Sequence, residues 1–202
     1  MDVSRPYADV LAGPRGRVLV TLAQLETPVT VRALARHAEV AAQSALDYVK
    51  ELADAGIAVA QPAGTALLVS LNRRHLASEP LIALATLRVR LVDRLRKELS
   101  GWDGLAGAWL FGSAARGDGD HESDIDLLLV ADDSTESAAW SDATARLRKC
   151  AREWTGNDVQ LVEHTRSSLA RLVDADDPLV QAVRSDGIPL ITGSPSLLRR
   201  PT

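Results

Sequence analysis

The segment LFGSAARGDGDHESDIDLLLV, residues 110–130, constrains this chain more than any other part of the sequence. The apolar run GAWLF predicts a buried strand that ends at Phe111. Gly112 follows, and a residue without a side chain lets the backbone approach a ligand closely. Ser113 offers a hydroxyl and a backbone N–H at a predicted helix start, where phosphate oxygens find donors and a favourable dipole. This turn is therefore a candidate phosphate site.

Two carboxylates begin the next predicted strand, DIDLLLVA. Because the side-chain period of a strand is two, Asp124 and Asp126 share one face while Ile125 and Leu127 point the other way. Two like charges this close raise each other's pKa. A hard divalent cation with oxygen ligands relieves that repulsion and bridges substrate phosphates. The pair therefore predicts a site for Mg²⁺ or Mn²⁺.

These features together resemble the nucleotidyltransferase superfamily that includes DNA polymerase beta, and within it the minimal nucleotidyltransferases of prokaryotes. The family motif is Gly-Ser-x-x-Arg-Gly, five variable residues, then Ser-Asp-x-Asp. The chain meets it in full, with Gly112, Ser113, Arg116, Gly117, Ser123, Asp124 and Asp126. The resemblance covers about residues 105–165. It implies that Gly112 and Ser113 hold a nucleoside triphosphate, and that Asp124 and Asp126 ligate Mg²⁺.

Arg116 and Ser123 are implied by the same resemblance to shape or contact the site. For Arg116 two interpretations stay open. It either contacts phosphate or forms a structural salt bridge with one of the acids of the loop, which are Asp118, Asp120 and Glu122.

The chain departs from the family at the third carboxylate, which usually lies on a later strand in a pattern such as Val-Asp-Leu-Val. Here that strand has Gln160 at the aspartate position. A glutamine carbonyl can ligate a metal or position a hydroxyl, but it cannot take a proton. Asp158 lies two residues earlier and is an alternative third ligand. We expect Gln160 on the same side of the sheet as Asp124 and Asp126.

The N-terminal region predicts three helices and then a hairpin. Helical spacing recurs over 16–26, Thr30 is a candidate N-cap, and AAQSALDYVKELADAG has apolar residues on one face. Two β-like runs in 57–71 are separated by Pro62, Ala63 and Gly64, a hairpin signal. This order resembles the winged helix-turn-helix family over about residues 15–72.

DNA binding by such a domain would use the exposed face of the third helix. The candidate contacts are Gln43, Ser44 and Lys50, with Arg73 and Arg74 adding charge from the wing and Arg32 and Arg36 from the second helix. The alternative is that the domain serves dimerisation or docks another protein.

The whole chain therefore predicts an α+β protein: a winged helix-turn-helix, then a mixed β-sheet domain with flanking helices. We place the first domain at 1–75, a basic amphipathic linker helix at 76–100, the nucleotidyltransferase domain at 101–193 and a flexible tail at 194–202. Residues 101–193 hold 8 basic and 17 acidic side chains, a net of −9, against +1 for 1–75. An acidic domain repels phosphate unless a cation intervenes.

The cysteine content and the distribution of apolar residues indicate the cellular compartment of the protein. The single cysteine, Cys150, excludes an internal disulfide framework. The N-terminus lacks the apolar run of a signal peptide, and no stretch has the roughly 20 apolar residues of a membrane span. We therefore expect a cytoplasmic protein with no membrane partner.

The function predicted first is transfer of a nucleoside monophosphate from a nucleoside triphosphate to a hydroxyl, targeted by the winged helix. The second is a DNA-binding regulator whose degenerate nucleotidyltransferase domain senses nucleotide without turnover. A third is one component of a toxin–antitoxin pair that modifies a protein or tRNA. If the winged helix-turn-helix domain serves docking or dimerisation, its partner would be another protein or a second copy of this chain.

Overall fold

A computed structural model describes residues 1–199 of the chain. The fold is mixed α+β, with helices and two separate sheets. Contacts divide it into two compact units. One is Pro6–Leu87, called the N-terminal unit below. The other combines Met1–Arg5 with the chain from Arg88 onward and is called the C-terminal unit.

The N-terminal unit contains four helices and a three-stranded antiparallel sheet of order β1-β3-β2. The helices are α1 (Gly13–Gln24), α2 (Val31–His37), α3 (Ala42–Asp54) and α4 (Ser78–Ala85). The strands are β1 (Val29–Thr30), β2 (Ala58–Ala63) and β3 (Ala66–Leu71). The predicted order of three helices and a hairpin is present, and β1 adds a short third strand.

Local signals explain where these elements begin and end. The Thr30 hydroxyl accepts a hydrogen bond from the backbone N–H of Ala33, which caps α2 as predicted. Gly64 turns the hairpin at φ +59°, a backbone conformation that favours glycine. The core is aliphatic, and its largest fully buried side chains are Leu22, Leu34 and Leu52.

The prediction of one linker helix over 76–100 is wrong. The helix is interrupted at Thr86, whose hydroxyl donates back to the Ile82 carbonyl. α4 ends at Ala85 and belongs to the N-terminal unit, whereas α5 (Leu87–Leu99) lies almost wholly in the C-terminal unit.

The C-terminal unit contains a four-stranded mixed sheet of order β6-β5-β4-β7, in which only β5 and β6 are parallel. The strands are β4 (Leu105–Phe111), β5 (Ile125–Ala131), β6 (Val159–Thr165) and β7 (Ile188–Pro189). The helices after α5 are α6 (Gly112–Arg116), α7 (Ser137–Thr155), α8 (Arg166–Asp174), α9 (Pro178–Asp186) and α10 (Ser194–Leu197).

Strand β5 is buried on both faces, and its alternation separates two cores. Ile125, Leu127 and Leu129 pack with residues of α5 and α7. Leu128 and Val130 pack on the other face, with residues of α8 and α9. The near-continuous apolar run of β5 is typical of a strand covered by helices on both sides. Asp126 therefore lies on the face that carries Leu128.

The predicted flexible tail from residue 194 differs from the structure. Ser194 is fully buried, and its hydroxyl accepts a hydrogen bond from the Ala108 backbone N–H of β4 at 3.0 Å. Leu198 is also buried. Residues 194–199 therefore pack onto the sheet, and residues 200–202 of the predicted tail lie outside the described residues. Within the described part of the chain, no helix is both long and apolar enough to cross a membrane.

Candidate nucleotide site

The turn from β4 into α6 brings the backbone of Gly112 against the carboxylate of Asp126. Gly112 has φ +69°, and a Cβ added there would clash with Asp126 Oδ2. Phe111, the residue before it, pairs with Asp126 across the antiparallel β4–β5 ladder. Glycine is therefore needed at this position both for its conformation and for the close approach. The two halves of the sequence motif meet at this contact.

The two aspartates lie where β5 begins, and both are partly buried. Burial raises the pKa of Asp126, the charge of Asp124 raises it further, and Arg116 acts in the opposite direction. Ionising Asp126 beside Asp124 therefore costs free energy, and a bound cation would remove that cost. Carboxylate oxygens are hard ligands that suit a divalent cation such as Mg²⁺.

Gln160 reaches the same site from the neighbouring strand. It pairs with Asp126 in the parallel β5–β6 register, and its Nε2 donates a hydrogen bond to Asp124 Oδ2 at 2.6 Å. The expectation that Gln160 lies on the side of the aspartates is confirmed. Asp158 instead forms an exposed ion pair with Arg152 at 3.1 Å. In residues 1–199, no three side chains of His, Cys, Asp or Glu are grouped to hold a metal ion.

Arg116 forms ion pairs with two carboxylates. Its Nε lies 2.9 Å from Asp118 Oδ2, and its Nη1 lies 3.3 Å from Asp186 Oδ2 at the end of α9. These hydrogen bonds raise the pKa of the guanidinium. The salt-bridge interpretation therefore describes the structure, with Asp118 as the loop acid. Contact of Arg116 with phosphate stays a prediction.

The loop between α6 and β5 holds Ser113 and Ser123 close to one glycine. A Cβ added at Gly119 would lie 2.7 Å from Ser113 Oγ and 2.8 Å from Ser123 Oγ. Ser123 Oγ also donates to Asp120 Oδ1 and accepts from the Asp120 backbone N–H, and this side-chain bond is the main cause that lowers the pKa of Asp120. The contacts of Ser123 therefore shape the loop.

The family model for the nucleotidyltransferase domain matches residues 92–181, a range that includes the motif residues from Gly112 to Asp126 and also Gln160. Residues 92–181 form a nucleotidyltransferase domain. No curated protein sequence matches the chain. The family match supports a transferase.

Solved structures give weak superpositions. A structure described as a toxin–antitoxin with AMP-PNP is 22% identical, covers 54% of this chain and 79% of its own chain, and has a TM-score of 0.36. A mutant of the toxin–antitoxin MntA-HpeT is 22% identical, with coverage of 55% and 80% and a TM-score of 0.36. TrmBL2, described as an archaeal chromatin protein with a novel mode of DNA binding, is 18% identical, with coverage of 85% and 71% and a TM-score of 0.28.

Three residues that support the nucleotidyltransferase site were not found from the sequence. Asn157 is buried and donates to the Ser123 carbonyl at 2.8 Å. Arg88 binds carbonyls of α6, and Asp186 binds Arg116. These residues are far from the motif in sequence, and no pattern around them signals a role.

The candidate DNA contacts lie on two parts of the N-terminal unit. Gln43 and Lys50 are exposed on α3, Ser44 is partly buried there, and Gln43 binds Asp47 at 3.0 Å. The placement of Arg73 and Arg74 on the wing is wrong, because both follow the end of β3. Arg73 donates to the Leu25 carbonyl after α1, far from the hairpin turn at Gly64.

Proposed function

We propose that this chain transfers a nucleoside monophosphate from a nucleoside triphosphate to a hydroxyl acceptor and releases pyrophosphate. The observation that carries the proposal is the contact of Gly112 with the Asp126 carboxylate. It places a side-chain-free turn directly beside a carboxylate pair, so a triphosphate at the turn would lie next to the ligands of its cation. The match of residues 92–181 to the nucleotidyltransferase domain supports the same reaction.

In this proposal Asp124 and Asp126 hold Mg²⁺, which supplies charge neutralisation at the phosphates when it is bound. The backbone of Gly112 and the N–H and hydroxyl of Ser113 orient the triphosphate. The raised pKa of Asp126 supports a cation here, since binding one removes the cost of ionising that carboxyl. The acceptor oxygen then forms a bond to the α-phosphorus while the bond from that phosphorus to the pyrophosphate oxygen breaks, and the proton of the acceptor hydroxyl passes to solvent water.

A second candidate, a nucleotide sensor without turnover, is favoured by Gln160. Its amide donates to Asp124, so the third position of the family site is a neutral donor that cannot accept a proton from the attacking hydroxyl. Rotation of the amide would present its carbonyl oxygen as a metal ligand. Nucleotide binding is therefore compatible with both candidates, and transfer separates them.

For the N-terminal unit we propose a winged helix-turn-helix that binds DNA. The support is the arrangement of α1, α2 and α3 with the three-stranded sheet, together with the exposed cations of α2 and of the turn after β3. Docking of a protein partner or of a second copy is the alternative outcome.

The test separates binding from transfer. Calorimetry of the full chain with each nucleoside triphosphate, in Mg²⁺ and then in EDTA, should show binding only with the metal. The protein is next incubated with Mg²⁺, a cell lysate and each triphosphate labelled at the α-phosphate. Label on a protein or RNA that is lost in Asp126→Asn supports the transferase. Binding without label supports the sensor, and equal affinity in EDTA contradicts the metal-bridged site.

A further inference from the structure

Two peptide bonds join the N-terminal unit to the C-terminal unit, namely Arg5–Pro6 and Leu87–Arg88. On the C-terminal side of both junctions, the adjoining residues contact the segment 112–123, called the motif loop below. This segment contains all the motif residues that precede the carboxylates.

At the first junction, the residues before Pro6 lie along the second half of the motif loop. The backbone N–H of Ser4 donates to the Gly119 carbonyl at 3.0 Å. Val3 is buried, and a Cβ added at Gly119 would lie only 2.5 Å from its Cγ2. Asn157 ties the same two segments together, because its Nδ2 donates to the carbonyls of Met1 at 3.0 Å and Ser123 at 2.8 Å.

At the second junction, Arg88 binds the first half of the motif loop. Its Nε donates to the Ala114 carbonyl at 3.2 Å and its Nη2 donates to the Ala115 carbonyl. The last carbonyls of a helix have no partner within that helix, so a cation in hydrogen-bond range stabilises the end of α6. A Cβ at Gly117 would meet Arg88 Nη1 at 2.5 Å, so the loop is packed directly on this side chain.

We propose that these two anchors make the motif loop responsive to the N-terminal unit, with Arg88 as a positioning residue of the nucleotide site. The proposal rests on the nucleotide binding proposed above. A partner that binds residues 6–87 and shifts them would also displace Ser4 and Arg88. Both residues are hydrogen-bonded to the motif loop, which orients the triphosphate in the proposed function. Coupling between two binding events is reciprocal, so nucleotide at the motif loop must also change the N-terminal unit.

The test uses the full chain and three variants. Arg88→Ala removes both hydrogen bonds, Arg88→Lys keeps the charge but not the paired geometry, and Arg90→Ala is the matched control because Arg90 is exposed on the same helix. We expect Arg88→Ala to weaken Mg²⁺–ATP binding at least tenfold by calorimetry, Arg88→Lys to restore part of it, and Arg90→Ala to match the wild type.

Hydrogen exchange distinguishes positioning from a general loss of stability. In Arg88→Ala without nucleotide, amides of 114–120 should exchange faster while those of β4 and β5 keep their protection. A purely structural role would speed exchange in the strands as well. In the wild type, saturating Mg²⁺–ATP should slow exchange in the motif loop and also change it within residues 6–87.

Three results are decisive. Failure of the wild type to bind any Mg²⁺–nucleoside triphosphate overturns the proposed function and this inference with it. Nucleotide binding that is equal in Arg88→Ala and Arg90→Ala overturns the inference alone. Nucleotide protection that stops at the motif loop, with no change in residues 6–87, shows that Arg88 positions the site without coupling the two units and overturns the regulatory proposal.

Discussion

The two units differ in how their polar groups are organised. In the C-terminal unit, groups from the turn after β4, from β5 and from β6 lie close together. Gly112, Asp126 and Gln160 each lie within contact of another member of the site. In the N-terminal unit, the cations proposed for DNA are exposed and spread over α2, α3 and the turn after β3. In the proposals above, nucleotide binding would depend on a few neighbouring groups, whereas DNA binding would be distributed over many weak contacts.

The stretch 101–193, which is the larger part of the C-terminal unit, also differs in charge from the stretch 1–75, and therefore in how each stretch would bind phosphate. Residues 101–193 have a net charge of −9, so we expect a triphosphate to bind there together with a metal ion. Residues 1–75 have a net charge of +1, and phosphate contacts there would come from arginine side chains. Binding of nucleotide to the C-terminal unit should depend on metal, and binding of DNA to the N-terminal unit should depend on salt.

Gly112→Ala should have the largest effect. The new methyl group clashes with the Asp126 carboxylate and takes a positive φ that costs roughly 1–3 kcal/mol. Restoring the binding geometry of the turn would cost a similar free energy, which corresponds to roughly a 5- to 150-fold loss of affinity. Calorimetry with Mg²⁺–nucleoside triphosphate should therefore show a loss of affinity of about that size.

The matched control for that substitution is Gly156→Ala. Gly156 has φ +76° after α7, but a Cβ there meets nothing within 4 Å. It bears the same conformational cost and leaves the site untouched. If both variants lose the same affinity, the close approach at Gly112 has no functional role.

Asp126→Asn should weaken metal-dependent binding, by less than Gly112→Ala does, and stabilise the metal-free protein. Burial and Asp124 raise the pKa of Asp126 above its unfolded value of about 3.9. The wild type therefore loses stability relative to the variant as pH rises through the folded-state pKa. Because Asp126 is only partly buried, solvent screening keeps this gain at pH 7 to about 1 kcal/mol or less. Thermal melts in EDTA at pH 3 and pH 7 measure it, and a large loss of stability at pH 7 would show that the carboxylate is structural.

The nucleotide site was largely predictable because its residues are close in sequence. Gly112 and Asp126 are separated by one short helix and a loop, and strand periodicity places the carboxylates on one face. Gln160 was located because the resembled family has Val-Asp-Leu-Val on a later strand, and this chain has Val-Gln-Leu-Val there. Its hydrogen bond to Asp124 could not be foreseen, because periodicity gives the face of a side chain and not its partner.

The residues that sequence reasoning missed act over long separations. Arg88, Asn157 and Asp186 reach the motif loop only because the chain folds back, and their local sequence has no distinguishing pattern. The linker was misjudged for a related reason. An apolar stripe over 80–99 predicts one helix, but α4 packs in one unit and α5 in the other, so the helix breaks at Thr86.

Gln160→Asp should have a moderate effect and decides between enzyme and sensor. It supplies a third carboxylate in register with Asp126, so Mg²⁺ affinity should rise about tenfold, the lower end of effects seen for groups around metal ligands. Transfer that appears only in Gln160→Asp identifies the wild type as a sensor, whereas transfer that increases from a measurable wild-type rate identifies it as a slow enzyme. Asp158→Asn is the control, since Asp158 pairs with Arg152 and should change nothing. Loss of transfer in Asp158→Asn would instead assign it as the third ligand.

Replacing Arg73 and Arg74 by Ala should have the smallest effect, because the proposed DNA contacts are distributed. Each lost phosphate contact reduces the slope of log affinity against log salt by about 0.9, so affinity at low salt should fall modestly and similarly for all sequences. Arg73 also binds the Leu25 carbonyl, so a melting curve must first show that the unit stays folded. Lys149→Ala with Arg171→Ala is the matched control, since it removes two exposed cations from the C-terminal unit.

Gel shifts with genomic fragments, titrated with salt, give the slope of log affinity against log salt for the variant and for the control. An unchanged slope in the Arg73 and Arg74 variant would exclude these residues as phosphate contacts, and no shift with any fragment at low salt would assign the N-terminal unit to protein docking.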